Sequence, residues 1–153
     1  MIYKKYIKRI VDIFGSILGI ILFSPIMLLA SIWIKIVSPD GPILADIPNR
    51  VGKGRKPFRF YKFRSMYPNA HELLKKDPKL YEKYVKNNYK LSSDEDPRLI
   101  KGAKFLRKSS IDEIPQFFNV LKGEMSIVGP RAYYFDEVEE QLKRFPEAQK
   151  YID

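Results

Sequence analysis

From Ile13 to Ile34 the chain carries no charged residue, a run of about 22 positions, and no other feature restricts its fold as severely. At about 1.5 Å of rise per residue, a helix of that length can cross the hydrocarbon core of a bilayer. A simple span, a signal peptide and a segment that enters and leaves by one face all satisfy the length. No small-x-small cleavage site follows the run, and it exceeds a usual signal core, which argues against secretion. Ser24-Pro25 sits at its centre. Proline removes a backbone donor there and kinks a helix, while the serine hydroxyl can satisfy the freed carbonyl. Both flanks are basic, with Lys4, Lys5, Lys8 and Arg9 before the run and Lys35 and a cationic remainder after it. The positive-inside rule holds both flanks on the cytoplasmic face, which a straight span cannot do. The pattern therefore predicts a re-entrant, helix-break-helix membrane segment over residues 1–37, turning at Ser24 and Pro25. Asp12 is expected to pair with Lys8 or Arg9 at helical spacing. Lys8 and Arg9 are expected to snorkel to lipid phosphates, and Trp33 to anchor at the interface.

Composition narrows the chemistry. A length of 153 residues allows one modest domain with a real core. The 28 basic against 18 acidic residues, a net charge of +10, favour anionic partners: phosphorylated substrates, anionic lipid headgroups or nucleic acid. With no cysteine there is no disulfide framework, thiolate metal site or cysteine nucleophile. The one histidine, His71, cannot make a metal cluster alone and reads as an exposed helix residue. Acid–base or nucleophilic work is left to carboxylates, lysines and hydroxyls.

Beyond the membrane segment the pattern predicts an α+β class, a small and mostly helical cytoplasmic domain with short strands over residues 38–153. Ser38-Pro39-Asp40-Gly41-Pro42 is a turn cluster at the boundary. Ile43–Ala45 is a strand candidate. The basic turn from Arg50 to Lys56 and the alternating stretch Phe58–Phe63 read together as a hairpin, with a solvated or a phosphate-contacting outer face. Residues 69–90 are helical in pattern with a break at Asp77-Pro78, and their basic amphipathic character suits packing on the domain or lying on a membrane. Asp94, Glu95 and Asp96 form an acidic loop, as solvated turn residues or metal ligands. A helix is expected over 111–121 with a glycine stop at Gly123. A short strand at Ser126–Val128, a turn at Gly129-Pro130-Arg131 and a helix from Tyr133 interrupted at Pro146 complete the chain.

The adjacent carboxylates Asp112 and Glu113 carry the strongest chemical signal. Ser110-x-x-Glu113 is a capping-box pattern, and acidic residues in a first turn complement the helix dipole without further purpose. Three features favour chemistry. Lys101, Lys104, Arg107 and Lys108 make the surroundings basic, which keeps a carboxylate anionic. A helix N-terminus offers amides to a phosphate. The chain also carries no better nucleophile, and an aspartyl phosphate is an established covalent solution.

In order along the chain, the motifs resemble those of the bacterial sugar transferases, small monotopic polyprenyl-phosphate phosphoglycosyl transferases. They begin with Lys8-Arg9-x-x-Asp12, the Ser24-Pro25 break and Lys62-Phe63-Arg64-Ser65-Met66. Asp96-Pro97-Arg98, Phe105-Leu106-Arg107 and the Asp-Glu-x-Pro-Gln of residues 112–116 follow. Asn119-Val120-Leu121-Lys122-Gly123 and the stretch Met125–Arg131 close the series. The resemblance implies transfer of a sugar-1-phosphate from a nucleotide diphosphate sugar, a UDP-sugar, to undecaprenyl phosphate at the cytoplasmic face of the bacterial inner membrane. That would be the first membrane step of a surface glycan such as exopolysaccharide, capsule or the O-antigen of lipopolysaccharide. It casts Asp112 as nucleophile, Asp112 and Glu113 as the Mg²⁺ site and Arg107 as the holder of the polyprenyl phosphate. Arg131, Lys62 and Arg64 become candidate substrate contacts, and Lys8, Arg9, Asp12, Ser24 and Pro25 the anchoring set.

This chain also departs from the family pattern. Pro48 stands where a glutamine is usual, and Ala132 where a second proline is usual. Family members typically continue for several tens of residues, through a Pro-Gly-Ile-Thr-Gly-like segment, so the chain is expected to be C-terminally short. A non-catalytic membrane-binding module of the same fold stays open as the alternative. A membrane-tethered nucleic-acid binder would show affinity falling steeply with salt and indifference to loss of Asp112; nucleic acid is not expected among the partners.

Overall fold

The computed structural model describes residues 2–47, 49–87, 91–129 and 132–149. The chain divides into two compact units, one made of Met1–Pro25, Asp46–Lys62 and Ile114–Asp153, the other of Ile26–Ala45 and Phe63–Glu113. The division falls inside the first helix, and the turn cluster at residues 38–42 lies within a single unit.

Helical backbone runs without a gap from Ile2 to Val37 (α1), with Pro25 inside it. The expected break at Ser24-Pro25 is thus not a non-helical interruption, and the reason is local. Pro25 has no N–H to give the carbonyl four residues back, and the Ser24 hydroxyl donates to that Ile21 carbonyl at 2.8 Å. Among the described residues α1 is the one helix long and apolar enough to cross a membrane. Its buried positions, Asp12, Ser16 and Gly19 in the first half and Ala30 and Ile34 in the second, recur at three- and four-residue spacing. In the first half that stripe is small or polar, while Phe14, Leu18, Ile21 and Leu22 point outward and are exposed. A soluble amphipathic helix does the reverse and turns its apolar stripe to the core.

In the first unit the small stripe admits close neighbours. A Cβ on Gly19 would stand 2.8 Å from the Phe117 ring, so glycine lets that ring lie on the helix, where it stacks with Phe23 at 6.1 Å. Phe117 belongs to α5 (Gln116–Lys122), which ends in left-handed Gly123, the expected glycine stop. Arg9 donates to the carbonyls of Val120 and Leu121 at 2.7 Å each, capping the end of α5. Asp12, expected to pair with Lys8 or Arg9, is engaged by another part of the chain. Its Oδ1 accepts from Ser126 Oγ at 2.9 Å and from the Ile127 amide at 3.0 Å. Residues 126–128 are accordingly a bend tied to α1 and not a strand. The predicted snorkelling of Arg9 gives way for the same reason: its guanidinium is committed to protein carbonyls.

The hairpin is present but short. Arg50–Val51 (β1) pairs antiparallel with Pro57–Phe58 (β2) and with Tyr133–Tyr134 (β3), in the order β2-β1-β3. Arg50 lies over the Tyr134 and Phe60 rings at 3.3 and 5.3 Å. The predicted helix after Tyr133 begins at Phe135 and runs to Arg144 (α6), and Val138 packs it on Val51. Fully buried Asn119 staples the unit: Oδ1 accepts from the Tyr61 amide at 2.9 Å, and Nδ2 donates to Arg59 O and Glu124 Oε2.

The second unit is organised around extended residues 63–67. Phe63 N donates to Asp112 O, Arg64 N to Ile43 O and Tyr67 N to Arg98 O, while Ser65 O accepts from Ile100 N. Leu44 bridges to Phe63, and Met66 to Leu99, so the strand candidates at 43–45 and 58–63 shrink here to single pairings. Ala30 and Ile34 of α1, with Phe63, Ile100, Ala103 and Leu106, form the core. Ala70–Lys75 (α2) and Pro78–Lys86 (α3) flank the expected break, where Asp77 accepts from the Leu80 amide at 3.1 Å. His71 is exposed, as its surroundings in the sequence predicted.

Asn119→Ala removes three hydrogen bonds and leaves buried main-chain groups unsatisfied. It is expected to cost about 2–3 kcal/mol, measured by urea denaturation of the detergent-solubilised chain.

Candidate functional site

Gly102 opens Ala103–Lys108 (α4) with φ +83°, and the missing Cβ is required, since it would stand 2.8 Å from Trp33 Nε1. Ala103 and Leu106 of α4 face the core, which leaves Arg107 at the margin of the unit, half-buried. Ser109 closes α4, Ser110 takes φ +57°, and Ile111–Glu113 turns as a 3₁₀ helix. The expected helix over 111–121 is therefore two elements. Proline disfavours helical backbone at the residue before it, so α5 starts only after Pro115. Asp112 and Glu113 sit in the 3₁₀ turn and do not open the α-helix.

Asp112 is 1% exposed, and its carbonyl accepts from Phe63 N at 2.8 Å. Arg107 reaches from α4 to Ser65, donating to Oγ from Nε at 3.0 Å and from Nη2 at 2.9 Å. Burial depresses the pKa of Arg107, and the negative fields of Asp112 and Asp96 only partly offset that effect. A half-buried guanidinium in such a setting has donors that an anion could use. Among the described residues no carboxylate forms an ion pair with it.

Beside it stands an ion pair that is self-contained. Arg98 Nε and Nη2 donate to the two oxygens of Asp96 at 2.7 and 2.8 Å, and the Arg98 amide adds a third bond at 3.1 Å. The guanidinium also covers the Tyr84 ring at 4.7 Å. Burial pushes the Asp96 pKa up, but the bonds and charge of Arg98, with the field of Arg107, outweigh it and hold the carboxyl below its usual range. Asp94 and Glu95 make surface pairs with Lys104 and Lys83 at 2.6 and 2.7 Å. The acidic loop is thus bound to cations throughout, which argues against a metal role for it.

The remaining sequence candidates fare differently. Arg64 is buried and spent on structure: Nε donates to Pro42 O at 2.6 Å, and Nη1 and Nη2 to Ser38 Oγ and O at 2.7 Å. It clamps the turn after α1, which leaves it no geometry for a substrate contact. Lys62 is half-buried and belongs to the other unit. Arg131 lies outside the described residues. In the sequence Ser65 and Arg98 stand out only as parts of motifs, and Asp96 only as a turn residue or metal ligand, without the contacts found here. Ser65 is 42 residues from Arg107, a separation that no local pattern reveals.

For a divalent ion, the donor set is two consecutive carboxylates, with no cluster of three or more metal-binding side chains among the described residues. Mg²⁺ takes one or two carboxylates, keeps several waters and completes its shell with substrate phosphates. The pair fits that demand.

Comparison with known proteins places names beside this geometry. A family model described as "Bacterial sugar transferase" matches residues 3–152. The UDP-N-acetylgalactosamine-undecaprenyl-phosphate N-acetylgalactosaminephosphotransferase of Aeromonas hydrophila is 44% identical over 126 residues, covering 82% of this chain and 26% of its own length. The undecaprenyl-phosphate galactose phosphotransferase of Salmonella typhimurium is 43% identical over 140 residues, 89% of this chain and 28% of that protein. A putative undecaprenyl-phosphate N-acetylgalactosaminyl 1-phosphate transferase of Bacillus subtilis is 38% identical, with 82% of this chain and 61% of its own length covered. The chain thus spans about a quarter of the first two relatives and about three fifths of the third.

The buried Asp96–Arg98 pair sets an acid response. A carboxyl with a depressed folded pKa contributes stability that is complete above its unfolded value, roughly pH 4, and is lost as pH falls through the folded value. Unfolding free energy should therefore decline on going from pH 5 to pH 3. In Asp96→Asn that decline should be shallower, as read by urea titration at the two pH values.

Proposed function

The chain belongs to the bacterial sugar transferase family, and from that membership we propose that it carries the active core of a phosphoglycosyl transferase acting on a UDP-sugar and undecaprenyl phosphate. The observation that carries the reading is that Arg107, half-buried and hydrogen-bonded to Ser65, lies in the field of the buried carboxylate Asp112. The names of the relatives supply the class of donor and acceptor.

In the first half-reaction a carboxylate oxygen of Asp112 attacks the β-phosphorus. The new O–P bond forms as the bond from that phosphorus to the bridging oxygen breaks, and UMP leaves with the oxygen and its electron pair. The sugar phosphate then rests on Asp112. In the second, a phosphate oxygen of undecaprenyl phosphate attacks the same phosphorus and the bond to Asp112 breaks. The carboxylate is restored, and undecaprenyl diphosphate sugar departs. A carboxylate shielded from water, as Asp112 is, is the more reactive toward phosphorus. Arg107, oriented by Ser65, holds the phosphate of the lipid. Asp112 and Glu113 would hold Mg²⁺, which when bound neutralises charge on the diphosphate.

The outward apolar surface of α1 and its basic flanks support a seat in the inner membrane with the site on the cytoplasmic face. A re-entrant course for α1 brings the site to the headgroup plane, where the lipid phosphate lies. Cytoplasmic labelling of the N-terminal tail is the expected result, and its protection would sink the re-entrant course in favour of a span.

Asp112→Asn keeps the shape of the turn and is expected to cut UMP release by about a thousandfold or more, with the phosphosugar adduct absent by intact-mass measurement. Undiminished turnover in that variant would end the mechanism. Arg107→Ala should raise KM for the lipid phosphate far more than KM for the UDP-sugar. Wild-type silence across a panel of UDP-sugars, with membrane binding retained, would point to the non-catalytic module.

A further inference from the structure

An apolar groove of about 620 Å³ runs between the second half of α1 and α4, within the unit that holds Asp112 and Arg107. Leu29, Trp33 and Ile36 form one side, and Phe105, Leu106 and Ile111 the other, with no charged residue in the lining. The volume is that of a small-molecule pocket. Its side chains are not sealed in a core, since Phe105 is 67% exposed and Ile36 69%.

One wall is built to a fixed shape. Trp33 Nε1 donates to the Lys101 carbonyl at 3.0 Å, which sets the plane of the indole. Gly102, at φ +83°, gives that ring its space, because any Cβ there would collide with it. A surface that merely faces fluid acyl chains needs no such fastening. The groove is also continuous with the site by covalent adjacency. Leu106 precedes Arg107, and Ile111 precedes Asp112. Apolar wall and polar site alternate along the same two elements.

A fitting occupant has an anionic head for Arg107 and a long apolar tail for the groove. The geometry points to the first isoprene units of a polyprenyl phosphate as that occupant, with the branched chain lying between Trp33 and Phe105. This assignment rests on the proposed transfer reaction for the identity of the lipid, and it adds a tail-recognition site to the phosphate contact. Recognition of the tail then discriminates an isoprenyl phosphate from other anionic lipids that Arg107 alone cannot reject.

Trp33 is the single tryptophan of the chain, so its emission reports the groove directly. The full chain in phosphatidylcholine nanodiscs would be titrated with farnesyl phosphate, dodecyl phosphate and inorganic phosphate. A saturable change in Trp33 emission is expected with farnesyl phosphate, weaker binding with dodecyl phosphate and no change with inorganic phosphate. Phe105→Ala should weaken the farnesyl phosphate response by about tenfold with an unchanged Tm, because the ring is largely exposed. A linear, non-saturating response that is equal in wild type and Phe105→Ala would mean simple partition into the bilayer and would overturn the assignment. So would equal affinity for farnesyl and dodecyl phosphate. UMP release assayed alongside separates the two ideas. Saturable binding without release would remove the transfer reaction and leave the groove, whereas release with no saturable response would remove the groove and leave the reaction.

Discussion

The main chain of Phe63–Tyr67 is engaged on both edges, and the second unit hangs on that engagement. Its amides reach Asp112, Ile43 and Arg98, and Ser65 returns a carbonyl to Ile100. Three segments distant in sequence, around residues 43, 98–100 and 112, are thereby held to one extended strip. Two consequences reach the site. The Ser65 hydroxyl comes to lie under the Arg107 guanidinium, and the backbone of Asp112 is pinned by its own carbonyl. The Arg64 side chain, between Phe63 and Ser65 in sequence, clamps the turn that follows α1. A buried main chain must place its polar groups somewhere, and here their placement assembles the chemistry.

Helix α1 obeys a second constraint, an inverted distribution of polarity. In its first half, small and polar positions face protein, with Asp12 bound to the 126–127 bend and Gly19 beneath Phe117, while Phe14, Leu18, Ile21 and Leu22 face out. That arrangement is the reverse of a soluble amphipathic helix. The Ser24 hydroxyl also satisfies the Ile21 carbonyl, to which Pro25 has no amide to give. A long outward apolar surface, a half-buried arginine and an apolar groove thus occur on one chain.

Much of this was legible beforehand, and particular residues show why. The uncharged run, the break at Asp77-Pro78 and the glycine stop at Gly123 are local effects, written in local sequence. Asp112, Glu113 and Arg107 stood out because residue type and short spacing carry chemical meaning. Arg64 entered through the motif of residues 62–66, where a cation reads as a ligand contact until its donors are found on Ser38 and Pro42. Asp12 misled through helical spacing, which offered Lys8 and Arg9 as partners when a bend more than a hundred residues away supplied better ones. The helix start after Pro115 was recoverable from the proline, had its effect on the residue before it been weighed against the capping-box pattern.

By itself the sequence determined the apolar length of α1, its basic flanks, the position of the proline and the presence of adjacent carboxylates beside basic residues. Those are properties of composition and near-neighbour spacing, and they hold in any fold the chain adopts. Only the tertiary structure decided which cations are committed and which remain for a ligand. Among the described residues, Arg9, Arg64 and Arg98 donate to carbonyl or carboxylate oxygens of the protein, whereas the hydrogen bonds of Arg107 go to the Ser65 hydroxyl. The physical reason is that a guanidinium finds its partners through space. Desolvation and distance then set its remaining demand for an anion, and neither quantity exists until the chain has folded.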